Sequence, residues 1–73
     1  MSKISFEIFC IEYYADKTGL SSDKVYKLFK NEGLLDLLRS DYDDLHGMGM
    51  EYMFNFCKDY LGVESIWLFI MEL

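Results

Sequence analysis

The apolar residues of this chain recur at helical spacing, in stretches that are separated by glycines. Gly19, Gly33, Gly62 and the pair Gly47 and Gly49 follow or interrupt these stretches, as glycines do at helix ends and breaks. Between them, apolar residues repeat at i, i+3, i+4 and i+7 over about 10 to 15 residues. The pattern predicts an all-α fold, a small bundle of four to five short helices, with residues 1–73 as a single domain.

The first predicted helix, over about residues 5–17, is apolar on two sides. Only a few positions remain for water, so this helix is expected to lie centrally or to share one side with another chain. The Phe9 side chain is predicted to fill the core. The two stripes consist of Ile4, Ile8, Ile11 and Ala15, and of Phe6, Phe9, Cys10, Tyr13 and Tyr14.

A second helix is predicted to begin at a cap formed by Ser21 or Ser22 and to end near Gly33. Its expected inward residues are Val25, Leu28 and Phe29. A leucine-rich third helix follows and closes near residue 40. Residues 41–46 are predicted to form a turn or one further helical turn.

A longer helix is predicted from about residue 48 or 50 to residue 61, with Gly62 as its stop. The last segment, residues 63–73, fits either of two structures. Its β-branched and aromatic content suits a strand, but a lone strand has no evident partner, so a terminal helix docked on the first helix is favoured. The expected buried stripe of the longer helix consists of Met50, Met53, Phe54, Cys57, Tyr60 and Leu61.

Composition and charge indicate which ligands the protein avoids and in which compartment it lies. The chain has 73 residues and a formal charge of −6, which argues against a surface built to hold phosphate backbones. Cys10 and Cys57 stand far apart inside apolar stretches, which is typical of buried free thiols in a reducing compartment. The amino-terminal residues do not resemble a signal peptide, and no apolar run has the length of about 20 residues that spans a bilayer. These features predict a cytoplasmic protein that does not enter membranes.

Two more specific functions, chemistry at His46 and binding of DNA, depend on few residues. His46 follows Asp41, Asp43 and Asp44, which could serve acid–base or metal chemistry or could equally form a polar turn between helices. No nucleophile has a plausible base and no phosphate-binding loop is present, so we expect neither catalysis nor a cofactor.

A helix-turn-helix-like regulator of DNA is the alternative function. The third helix, however, offers few groups that could read bases, so nucleic acid is an improbable partner.

Aromatic residues favour protein binding instead. The chain has six tyrosines, six phenylalanines and one tryptophan. Their rings present about 2,000–3,200 Å², against roughly 4,700 Å² for the whole folded surface, so some are expected to stay exposed. Exposed rings and a neighbouring acidic edge would contact a protein partner or a second copy of the chain. The predicted partner-binding residues are Tyr13, Tyr14, Asp36, Asp41, Asp43, Asp44, Tyr52, Phe56, Trp67 and Phe69.

Several short segments follow one another along the chain. They include Phe9-Cys10-Ile11-Glu12-Tyr13-Tyr14-Ala15, Val25-Tyr26-Lys27-Leu28-Phe29, Gly33-Leu34-Leu35-Asp36 and Gly49-Met50-Glu51-Tyr52. In this order and spacing they resemble a family of small bacterial proteins, the domain of unknown function "three-seven-nine-one". The resemblance covers about residues 6–61 and implies a short helical protein, often encoded beside proteins that resemble ADP-ribosyltransferase toxins. It further implies an antitoxin-like role through binding of that neighbour and assigns no catalytic residue.

Overall fold

The computed structural model describes the backbone of residues 2–71 and the side chains of residues 2–62. Within residues 2–71 every regular element is a helix, which confirms the all-α prediction. The five helices are α1 (Lys3–Thr18), α2 (Ser22–Asn31), α3 (Leu34–Ser40), α4 (Tyr42–Leu45) and α5 (Met50–Met71).

Local hydrogen bonds set the helix ends where the sequence indicates them. The Ser21 hydroxyl accepts a hydrogen bond of 3.3 Å from the Lys24 backbone N–H, so Ser21 is the N-cap of α2. Gly19 ends α1 in the left-handed conformation, with φ at 77°, and its N–H donates to the Ala15 carbonyl at 2.9 Å. A left-handed residue at this position favours glycine, because other residues strain the backbone there.

The core lies where α1, α2, α3 and α5 meet, with the single buried residue of α4 at its edge. Tyr14 stands at its centre, with its ring centroid 5.3 Å from that of Phe29 and 5.4 Å from that of Phe54. Each element therefore contributes one apolar face to a shared interior. The buried apolar residues are Phe6, Cys10, Ile11, Tyr14, Ala15, Val25, Leu28, Phe29, Leu34, Leu38, Leu45, Met53, Cys57 and Leu61.

Three burial predictions are wrong. Tyr14 was expected on the surface but is only 1 % exposed, whereas Phe9 and Tyr60 were expected inside and are 43 % and 45 % exposed. The cause in α1 is that the neighbouring helices cover a face of the helix that takes residues from both apolar stripes, so neither stripe by itself gives the buried set. The contacts of α5 likewise leave Tyr60 at the margin, where its hydroxyl donates to the Glu32 carbonyl at 2.9 Å.

Gly62 interrupts α5 as the sequence indicates, with φ at 74° and ψ at 156°. Beyond it the backbone is again helical to Met71, so a helix is confirmed over the alternative strand. Its predicted docking on α1 depends on side chains outside the described residues and stays a prediction. The side chains after residue 62 lie outside the described residues. The predictions for Trp67 and Phe69 therefore fall outside what the structure describes.

Candidate protein-binding surface

Three apolar side chains of α1 that the core leaves unused face outward. Ile4, Ile8 and Phe9 are 61 %, 53 % and 43 % exposed. Ile8 and Phe9 border the two margins of the buried face of α1, next to Ala15 and Phe6 around the helix. The excess of apolar positions on α1 was the signal for these exposed side chains, although the sequence did not mark Ile4, Ile8 or Phe9 as binding residues.

Three hollows adjoin along α1 and α5. The first lies on α1, the second between the two helices and the third on α5. Tyr13 borders both the first and the second, and Asn55 borders both the second and the third, so the hollows form one continuous surface. We call this the α1–α5 surface. Among the described residues it is lined by Ser5, Ile8, Phe9, Glu12, Tyr13, Lys17, Glu51, Tyr52, Phe54, Asn55, Phe56, Asp59 and Tyr60.

Ring contacts hold the middle of this surface in place. The Tyr13 ring meets the Phe54 ring edge-on at a centroid distance of 6.3 Å, and the Lys17 ammonium lies 5.5 Å from the Tyr13 centroid. On α5 the rings of Tyr52 and Phe56 are nearly parallel, with their centroids 6.5 Å apart. A cation over an aromatic face and paired rings each favour a fixed arrangement. The surface therefore presents ordered aromatic groups.

The predicted binding residues divide between two places. Tyr13, Tyr52 and Phe56 belong to the α1–α5 surface, where Tyr52 is exposed and the other two are half-buried. Tyr14 is not available, because it is buried in the core. The four predicted acids are all exposed and lie on or next to α3 and α4. We call this group the acidic edge; it consists of Asp36, Asp41, Asp43 and Asp44.

His46 packs on the helical turn that precedes it. Its Nδ1 lies 2.8 Å from the Tyr42 carbonyl oxygen, and its ring stacks on the Tyr42 ring with centroids 4.5 Å apart. The sequence left two alternatives for His46, acid–base or metal chemistry and a polar turn between helices. These contacts agree with the polar turn. In the part of the chain that the structure describes, no three metal-ligating side chains converge on one point.

Cys10 and Cys57 meet in the core between α1 and α5, and both thiols are free. They share a hydrogen bond, which together with burial raises the pKa of Cys57 far above its ordinary value. Burial, with a smaller effect of Cys57, raises the pKa of Tyr14 to about 12. The same hydrogen bond lowers the pKa of Cys10. The Cys57 thiol and the Tyr14 hydroxyl group therefore stay protonated at neutral pH, and all three groups belong to the interior.

No helix within the described residues has the length and apolar character needed to cross a membrane.

Comparison with known proteins identifies a family. The searches of curated proteins and of solved structures gave no match to the chain. Residues 5–62, most of the chain, match the family described as "Protein of unknown function (DUF3791)". The match includes α1 to α4 and the first part of α5, and hence all the described residues of the α1–α5 surface. The chain belongs to the DUF3791 family.

Proposed function

We propose that this protein is a non-enzymatic binding module that binds a partner protein and blocks it sterically. The observation that carries the proposal is the exposure of Ile8 and Phe9 side by side on α1, above a core that is already filled. Contiguous apolar side chains on the surface of a small domain favour a contact with another protein, because burial there removes apolar area from water. Aromatic neighbours such as Tyr13 and Tyr52 are typical anchors of such contacts.

Charge indicates what kind of partner fits. The chain carries a formal charge of −6, and the acidic edge on or next to α3 and α4 is exposed. Acids on a surface accelerate encounter with a basic partner and disfavour acidic ones. A basic cleft that binds a nucleotide would be complementary to this edge. We therefore expect a partner that is positively charged around its binding cleft.

The partner that we propose is an ADP-ribosyltransferase-like toxin encoded beside the protein, and the role is that of its antitoxin in the cytoplasm. The support is the resemblance to a family often found beside such toxins, together with the acidic and apolar surfaces. Occupation of the cleft would exclude the nucleotide substrate by steric and electrostatic blocking. No catalytic group of this chain takes part.

The alternative function, a DNA-associated regulator, has weaker support. A recognition helix at α3 would present mainly Asp36 and Arg39 to the bases, since Leu34 and Leu38 are buried. Arg39 is already bound to Glu7 of α1 at 2.9 Å. The exposed lysines of α2 fit a solvated helix face.

The proposal is tested by co-expressing the chain with the neighbouring gene product, purifying through a tag on that product, and measuring complex formation and ADP-ribosyl transfer. We expect a complex and a loss of transfer activity. Replacing Asp41, Asp43 and Asp44 by asparagine should weaken the complex. Amide variants of Asp16, Asp23 and Glu32, exposed acids elsewhere on the chain, provide a control with the same change of charge. The absence of a complex at micromolar concentrations would refute the proposal.

A further inference from the structure

The α1–α5 surface is a row of open hollows on two helices. Its α1 part, from Ser5 to Lys17, extends over about 18 Å, and its α5 part, from Glu51 to Tyr60, over about 14 Å, at 1.5 Å per residue. The hollows between Ile8, Tyr13 and Phe56 follow one another across both helices. A row of hollows with this length accommodates about three turns of a docked helix.

The backbone of this surface restricts the form of the ligand. All the described lining residues lie inside α1 or α5, where backbone N–H and carbonyl groups are bonded along the helix. An extended peptide binds by adding main-chain hydrogen bonds to a free strand edge, and this surface offers none. Contacts must therefore come from side chains, with apolar groups packing against Ile8, Phe9 and Phe54. A helix presents such a row at i, i+3, i+4 and i+7.

The charged side chains that line the α1–α5 surface indicate which kind of helix binds there. Glu12, Glu51 and Asp59 line the surface, and the one base among the described lining residues, Lys17, already lies over the Tyr13 ring. A second copy of the chain would bring the same three acids together, which opposes a homodimer through this face. Lysines or arginines beside an apolar row would pair with these acids.

We infer that the α1–α5 surface binds a cationic amphipathic helix of the partner. Its apolar side chains enter the three hollows, and its basic side chains meet Glu12, Glu51 and Asp59. This inference rests on the proposed function and specifies the part of the partner that is recognised.

The test uses the full chain and fluorescein-labelled peptides of about 14 residues, or four helical turns. One peptide has leucines at helical spacing and lysines elsewhere; a second alternates the same residues; a third has glutamates in place of lysines. We expect the first to bind at least about tenfold more tightly than the others, in fluorescence anisotropy. The double variant Ile8→Ser with Phe9→Ser should lose that preference. Met48→Ser is the matched control, since Met48 is 44 % exposed and lies outside the described lining.

Several results would overturn the inference. One is equal binding of the alternating peptide, and another is unchanged binding by the Ile8 and Phe9 double variant with a melting curve like that of the parent. A third is a dimer in solution that Ile8→Lys converts to monomer, since a second copy would then occupy the surface. The proposed function fails separately, when the neighbouring gene product forms no complex. A complex that the Ile8 and Phe9 double variant leaves intact refutes this inference while the proposed function stands.

Discussion

Arg39 of α3 donates a hydrogen bond of 2.9 Å to the Glu7 carboxylate of α1, across 32 positions of sequence. The two side chains differ in exposure, with 11 % of Glu7 and 56 % of Arg39 accessible to water. The hydrogen bond to Glu7 and the negative charge of Glu7 raise the pKa of Arg39, so the guanidinium is charged at neutral pH. The contact ties the third helix to the first at the boundary of the core.

Replacing Arg39 by alanine should lower the free energy of unfolding, because the largely buried Glu7 carboxylate loses its cation. Glu7→Gln should be milder, since an amide keeps a hydrogen-bond acceptor without the charge. Urea unfolding of both variants and of the double variant gives the coupling energy. A coupling energy below about 0.3 kcal/mol would mean that the pair behaves as an ordinary exposed one.

The hydroxyl group of Tyr14 is buried and has no hydrogen-bond partner among the described residues. Tyr14→Phe should therefore leave stability unchanged or raise it by about 1 kcal/mol at neutral pH, because it removes a desolvated polar group and keeps the ring contacts with Phe29 and Phe54. Thermal and urea unfolding measure the effect. A clear loss of stability would show that the hydroxyl group is satisfied in solution.

The same tyrosine predicts an alkaline dependence. Its pKa is raised to about 12 in the fold, against about 10 in the unfolded chain. The unfolded chain therefore loses this proton first, and the free energy of unfolding falls as the pH rises from about 10 to 12, by at most about 2 kcal/mol. Tyr14→Phe should remove that part of the decline. Tyr26→Phe, at an exposed ring, should leave the alkaline profile as it is.

Gly33 and Gly47 should respond differently to alanine. Gly33 has φ at 77°, and a Cβ there would lie 3.4 Å from the Tyr60 hydroxyl oxygen, whereas Gly47 has ordinary φ and open space around it. Gly33→Ala should cost about 1–2 kcal/mol through backbone strain. Gly47→Ala should change stability by less than about 0.5 kcal/mol. Equal melting temperatures for the two variants would contradict the strained turn between α2 and α3.

Two phenylalanines provide a matched test of the burial pattern. Phe29 is fully buried, with its ring against Tyr14, while Phe9 is 43 % exposed. Phe29→Leu should cost about 1–2 kcal/mol, since the smaller side chain leaves part of its site unfilled. Phe9→Leu should stay within about 0.5 kcal/mol of the parent. The comparison is made by urea unfolding, and a larger loss at Phe9 would place that ring in the interior.

Local chemistry made much of the candidate surface predictable. The two apolar stripes of α1 indicate that part of its apolar surface is left over, because a helix on a small core buries only one face. The rings of Tyr13, Tyr52 and Phe56 were identified as binding candidates because the chain has more ring surface than a small core is expected to bury. The stripes alone could not exclude Tyr14 or select Phe9, since both patterns satisfy the period of a helix.

The amino-acid order by itself determined the helical class, a serine cap at Ser21 or Ser22 and the breaks at Gly19 and Gly62. These features depend on hydrogen bonds and backbone angles within a few residues, which local sequence controls. The tertiary structure alone decided that Tyr14 lies inside and Phe9 outside, that Arg39 reaches Glu7, and that hollows on α1 and α5 join into one surface. Those relationships depend on how whole helices pack against one another, and contacts between distant residues set that arrangement.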